Sequence, residues 1–213
     1  CTLFPYTTLF RSEIKEKYNF FSTFLISSQT LNYYHFKGLH KQMSPDDEHD
    51  DWYYNFIKSG KKYVIEVDAN EASEDILTVF INHRLNDYQG KLIGVTGVGL
   101  KLTSIGRMLN LFEQKYGKNI YLVDKNGTIQ IHSNQRLVLR KNIHNTEGME
   151  QIASDLLANP STTTIREYSQ KDKSLIVMST YIPEFDWFLI VEHNQSQGMQ
   201  EINSNLFRNL LIG

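Results

Sequence analysis

Residues 50–56, reading DDWYYNF, constrain the fold of this chain more than any other stretch. Trp52, Tyr53, Tyr54 and Phe56 place four aromatics within five positions, directly after the acidic run Asp46, Asp47, Glu48, Asp50 and Asp51. Aromatic rings with a polar handle are common in the walls of pockets that hold small polar ligands. The same stripe is also what a short helix uses to pack on a sheet. The sequence leaves both readings open. Either one requires a sheet for the helix to lie on, and the flanking chain supplies the strands.

Residues 13–19 are polar and helix-compatible. The runs FFSTFLISSQT and LNYYHF read as two strands around Ser27-Ser28-Gln29, with Gly38 as a break and residues 44–51 as a loop. Asp50 or Asp51 suits the start of the aromatic helix, because a carboxylate there accepts backbone N–H bonds and favours the dipole. Gly60 stops the helix. YVIEVD (63–68) alternates as a strand with a turn at Asp68-Ala69-Asn70. ILTVFINHRL (76–85) is a longer strand, with Leu77, Val79, Ile81 and His83 facing inward, or else the opposite set. Residues 86–90 form a hairpin loop before the returning strand LIGVTGVGL. The glycines of that strand, Gly94, Gly97 and Gly99, leave room for a close neighbour.

Residues 102–116 have apolar positions at Leu102, Ile105, Met108, Leu109 and Phe112, which is helical spacing ended by Gly117. The strand pattern then restarts. IYLVDKNGTIQIH is a hairpin about Asn126-Gly127. MEQIASDLLAN is a helical segment closed by Pro160, and TTTIREY, SLIVMSTYI and WFLIVEH are three further strands. The layout is that of one fold used twice.

Composition excludes several functions. Across 213 residues the formal net charge is −2 and no basic run exceeds two residues, so the clustered positive face of a nucleic-acid binder is missing. The single cysteine is Cys1. Residues 1–12, CTLFPYTTLFRS, resemble translated sequencing-adapter sequence and are expected to be an artefact. Without Cys1 the chain has no disulfide and no thiolate zinc site, which fits an oxidising compartment. Residues 206–213 grow more apolar and read as the approach to a membrane helix. The ordinary alternative is an amphipathic C-terminal helix with Met199, Ile202, Leu206 and Leu210 on one stripe. Seven histidines show no metal-ligand spacing, and neither a nucleophile elbow nor a cysteine nucleophile is present. No metal, cofactor or catalytic residue is expected.

The order D-x-W-Y, then strands, then GKLIGVTGVGLKL resembles the membrane-distal half of a double Cache sensor domain. NIYLVDKNGTIQIHS, SLIVMSTYIP and WFLIVEH resemble its second half. The resemblance implies an α+β fold of two PAS-like (Cache) modules, each an antiparallel sheet flanked by helices, with a C-terminal helix leading to a membrane span. The implied boundaries are 13–102 for the membrane-distal, ligand-binding module and 103–116 for a connecting helix. The membrane-proximal module takes 117–195 and the C-terminal helix 196–213. The implied role is periplasmic small-molecule sensing in a homodimeric signalling protein of the inner membrane. The output would be a diguanylate cyclase, histidine kinase or chemoreceptor region, and the motifs look most like sensors attached to a cyclase. A ligand-free dimerisation spacer and a soluble enzyme are the rival readings, and the enzyme lacks a catalytic constellation.

Transferred by position, the resemblance points to Trp52, Tyr53, Tyr63, Asp68, Asn82, Arg84 and Gly99 as ligand-binding candidates. The amino-acid-binding branch has an Arg two residues before the Trp and an Asp in the late strand. Here Asp50 and Gly99 stand in those places. An α-amino acid would then bury two unpaired charges, so an ordinary amino acid is not expected as ligand. A carboxylate paired with Arg84, or a flat heterocycle stacked on the aromatics, remains. Arg84 could equally pair with Asp68 or Glu66 across the sheet.

Overall fold

The computed structural model describes residues 12–171 and 173–195. The adapter-like segment up to residue 11 and the expected C-terminal helix from residue 196 lie outside the described residues. The chain divides into two compact units between Leu102 and Thr103.

The first unit contains β1 (Ser22–Ser27), β2 (Asn32–His35), β3 (Gly38–Gln42), α1 (Asp51–Ser59), β4 (Tyr63–Asn70), β5 (Ile76–Asn86) and β6 (Leu92–Lys101). Its sheet runs β3-β2-β1-β6-β5-β4, with every neighbouring pair antiparallel. β3 is unforeseen in the sequence. Gly38, at φ 133°, directly follows a two-residue connection and pairs with His35, so the chain turns back where a break was expected. Gly60 ends α1 in the left-handed conformation, at φ 70°.

The amphipathic α1 lies on one face of this sheet. Strand parity decides which residues meet it. On β5 the face toward the helix carries Thr78, Phe80, Asn82 and Arg84, the second of the two sets left open by the sequence. The core joins Tyr53 and Phe56 of the helix to Phe24, Ile26, Tyr33, Phe80 and Val95 of the sheet, with Met43 beside them. Burying a side chain of this size contributes about 1.5–3 kcal/mol. The Phe24 ring is the hub, meeting Tyr33, Trp52 and Phe80 edge-on at 5.4, 5.7 and 6.2 Å between centroids. Gly97 makes this possible. A Cβ there would lie 2.5 Å from the Phe24 ring.

Across the division lie α2 (Leu102–Tyr116), β7 (Lys118–Val123), β8 (Ile129–Ile131), α3 (Ala153–Ala158), β9 (Thr164–Gln170), β10 (Lys173–Ile182) and β11 (Trp187–Asn194). The second sheet runs β8-β7-β11-β10-β9, again antiparallel throughout. Its interior holds a carboxylate. Glu192 on β11 accepts hydrogen bonds from Tyr121 Oη at 2.6 Å, Asn119 Nδ2 at 2.7 Å and Tyr168 Oη at 3.0 Å. Among the described residues, no helix is long and apolar enough to cross a membrane.

Candidate ligand-binding site

The first unit encloses a small cavity of about 40 Å³ between the start of α1 and the sheet. Phe24, Tyr33, Trp52 and Phe80 form its apolar walls. Its polar lining comes from Asp50, Glu66, Asp68, Asn70, Glu71 and Asn82, with His49 at the turn before α1. Residues 66, 68 and 70 are two apart on β4, so the pleat turns all three to the same side. β4 is the last strand of the sheet order.

Two asparagines are the unusual feature. Asn70 and Asn82 are each only 1% exposed. Neither amide atom of Asn70, nor the Oδ1 of Asn82, has a hydrogen-bond partner. A buried polar group left unpaired costs roughly 1–3 kcal/mol. Three such atoms at one cavity mark a place where the protein alone does not complete its own hydrogen bonding. In folded proteins such groups are ordinarily completed by enclosed solvent or by a ligand.

Electrostatically the cavity is acidic, with four carboxylates in its lining. Glu66 is pushed up from 4.5 to about 7, first by burial and then by the neighbouring Asp68 charge. The hydrogen bond donated by Asn82 Nδ2 to its Oε1, at 2.5 Å, works in the opposite direction. The compensating cation, Lys41 on β3, sits to one side. Its ammonium lies 2.7 Å from Glu71, 2.8 Å from Asp50 and 3.0 Å from Asp47. Burial alone would lower the Lys41 pKa, but the three carboxylates hold it above its ordinary value. Asp50 does not cap α1 as expected. Its carboxylate takes the Ser44 N–H at 2.8 Å and the Lys41 ammonium instead.

The seven sequence-derived candidates separate into groups. Trp52, Asp68 and Asn82 line the cavity. Tyr53 is 1% exposed and belongs to the core beneath the helix. Tyr63 begins β4 on the face opposite to Glu66 and is 38% exposed. Arg84 donates from Nη2 to the Ile57 carbonyl at 3.0 Å, tying the end of α1 to β5, and borders an open depression with Lys62 and His83. Gly99 stands opposite Phe80 and Ser22, where a Cβ would fall 2.7 Å from Thr78 Cγ2. Sequence reading missed Asn70, taken as a turn residue, and Lys41, in a stretch after Gly38 that was given no element. Glu66 entered only as a partner for Arg84. The two-residue spacing of Glu66, Asp68 and Asn70 was the available signal.

Comparison with known proteins places this geometry in a wider set. A family model described as Cache domain matches residues 6–202. The extracellular domain of a proposed histidine kinase, mmHK1S-Z2, superposes with a TM-score of 0.67 at 13% identity, covering 90% of this chain and 81% of that one. The ligand-binding domain of the Pseudomonas aeruginosa PAO1 amino acid chemoreceptor PctB, in complex with L-Arg, gives 0.65 at 15% identity over 93% and 76%. That of the Pseudomonas fluorescens chemoreceptor CtaA with L-serine gives 0.62 at 17% over 89% and 79%. These likenesses establish the fold. They also overturn the expectation that an ordinary amino acid is excluded, since domains of this fold hold L-arginine and L-serine. The physical error was to allow an ammonium clamp only in the late strand, at Gly99. In this cavity the carboxylates stand on β4, at Glu66 and Asp68.

Proposed function

The chain belongs to the Cache domain family, and from that premise we propose that it is the small-molecule sensing domain of a membrane-bound signalling protein. In this reading it is an extracytoplasmic binding module rather than an enzyme. It consists of two Cache modules, residues 13–102 and 117–195, joined by the helix 103–116, and works as a homodimer with no cofactor. The first module holds the ligand under Trp52. The ligand carries an ammonium group, as do those of the amino acid chemoreceptor domains that share the fold. The signal passes to an output that we take to be a diguanylate cyclase, on the resemblance of GKLIGVTGVGL to sensors with that output. Binding shifts the domain only if one conformation holds the ligand better than the other.

The observation that carries this reading is the set of unpaired amide atoms on Asn70 and Asn82 at a cavity. The cavity volume of about 40 Å³ favours a second reading, a ligand-free spacer, because small-molecule pockets usually enclose about 300–1,000 Å³. The two separate in a thermal-shift screen of the chain against amino acids, amines, carboxylates and purines. A ligand at about 100 times its Kd adds roughly 2.7 kcal/mol, or several degrees of melting temperature. A reproducible hit that disappears in Asn70→Leu supports the sensor. Silence across the panel leaves the spacer.

A further inference from the structure

We propose that ligand binding in the first unit's cavity is proton-coupled: Glu66 must be ionised for the site to hold an ammonium group, so acid closes it. This rests on the sensing reading above and adds a regulatory property to the same site.

The geometry is the argument. Glu66 and Asp68 lie two residues apart on one face of β4, and both line the cavity. Asn82 donates to one oxygen of Glu66. Among the described residues no Lys or Arg is ion-paired with Glu66. Asn70, on the same face, offers an unpaired amide donor and acceptor at the same cavity. A ligand with an ammonium for the two carboxylates and an adjacent hydroxyl, carbonyl or carboxylate for Asn70 would meet the unpaired amide of Asn70 as well as the acidic pair. No three His, Cys, Asp or Glu side chains among the described residues are arranged to hold a metal ion.

The surrounding charges determine when Glu66 is ionised. On its own strand stands Asp68, which opposes a second negative charge. From the other elements the cavity is faced by Asp50 and His49 before α1, Glu71 after β4 and Tyr33 on β2. Lys41 on β3 is committed to Asp47, Asp50 and Glu71. With no cation directed at it, half-buried Glu66 keeps its proton up to about pH 7. An ammonium placed between Glu66 and Asp68 reverses that balance and expels the proton. By reciprocity, a proton on Glu66 weakens the ligand by the same factor. For a single site of this kind, affinity falls about tenfold between pH 8 and pH 6.

The test is isothermal titration with 1,4-diaminobutane, L-arginine and L-serine from pH 5.5 to 8.5, with succinate as an anionic comparison. Titration in buffers of different ionisation heats counts the protons released. The expected result is binding of an ammonium probe, about tenfold weaker at pH 6 than at pH 8. Close to one proton leaves per ligand near pH 6, and Glu66→Gln has a flat profile. The proton count needs no variant, so it stands whether or not Glu66→Gln folds. A pH-independent affinity, or a slope that persists in Glu66→Gln, overturns the coupling and leaves the sensing reading intact, because a ligand binds. Preferential binding of succinate overturns it in the same way. If no ammonium probe binds at pH 8.5 the proposal fails, and the thermal-shift panel decides the sensing reading separately.

Discussion

Each unit of this molecule contains a glutamate within its fold, and the two are treated in opposite ways. Glu192 in the second unit collects three side-chain donors, from Asn119, Tyr121 and Tyr168. Glu66 in the first receives one donor and faces a second carboxylate. Around Glu192 burial and the carboxylate hold the Tyr121 and Tyr168 phenols well above their ordinary range, so they remain donors at any physiological pH. Around Glu66 there is instead a cavity, with asparagine amides left unpaired beside it. The same antiparallel plan thus yields a closed polar network in one unit and an open one in the other. A completed network fixes a structure, whereas an incomplete one carries the cost of its unpaired groups.

The contrast is most easily broken at its strong end. Glu192→Ala should destabilise the protein by about 4 kcal/mol, since two buried phenols and the half-buried Asn119 amide lose their acceptor at once. Urea denaturation checks this, and a loss below about 1 kcal/mol would mean the network is not structural. Glu66→Gln should do the reverse. The native state holds its proton up to about pH 7, whereas the unfolded chain releases it near 4.5. Stability from this group is therefore full below pH 4.5, declines as pH rises, and is lost above 7. The variant escapes that loss and should gain up to about 3 kcal/mol at pH 8 but nothing at pH 4. Melting curves at the two pH values measure the difference. Asn70→Leu removes two unpaired atoms and should be neutral or stabilising by about 1 kcal/mol, while abolishing ligand-induced thermal shifts. If it unfolds the chain, Asn70 is structural and the contrast collapses. Smallest of all, Arg166→Ala removes an exposed pair with Asp155, 3.2 Å long, and should change stability by no more than about 0.5 kcal/mol.

Much of this architecture is legible in the chain itself. Gly60 and Asn126-Gly127 punctuate the chain where the structure bends, because Gly60 and Gly127 take positive φ values that few residues tolerate. β3 was not legible, since GLHKQ has no apolar alternation and its Phe36-Lys37 connection lacks an Asn-Gly signature. Losing β3 meant losing Lys41 and its three carboxylate partners. At the site, Asp68 and Asn82 entered through the family resemblance, because strand parity alone left the inward face of β5 open. The choice between Trp52 and Tyr53 was not legible either, because neighbouring helical residues point about 100° apart and sequence cannot set the rotation of a helix on its sheet. Asn70 hid because asparagine at a strand end normally signals a turn.

The placement of Glu66, Asp68 and Asn70 on alternate positions of one strand also limits how such a site can change by mutation. The intervening residues are Ile65, Val67 and Ala69, all apolar. A one-residue slip of β4 against β5 would turn Ile65 and Val67 toward the cavity and the acidic set away from it. Point substitutions can adjust the proposed site one group at a time. A single-residue insertion near Tyr63 would instead exchange a polar specificity for a greasy one in a single inherited step. Length variation in the 60–62 connection is therefore where descendants of this chain would be expected to change what they respond to most abruptly.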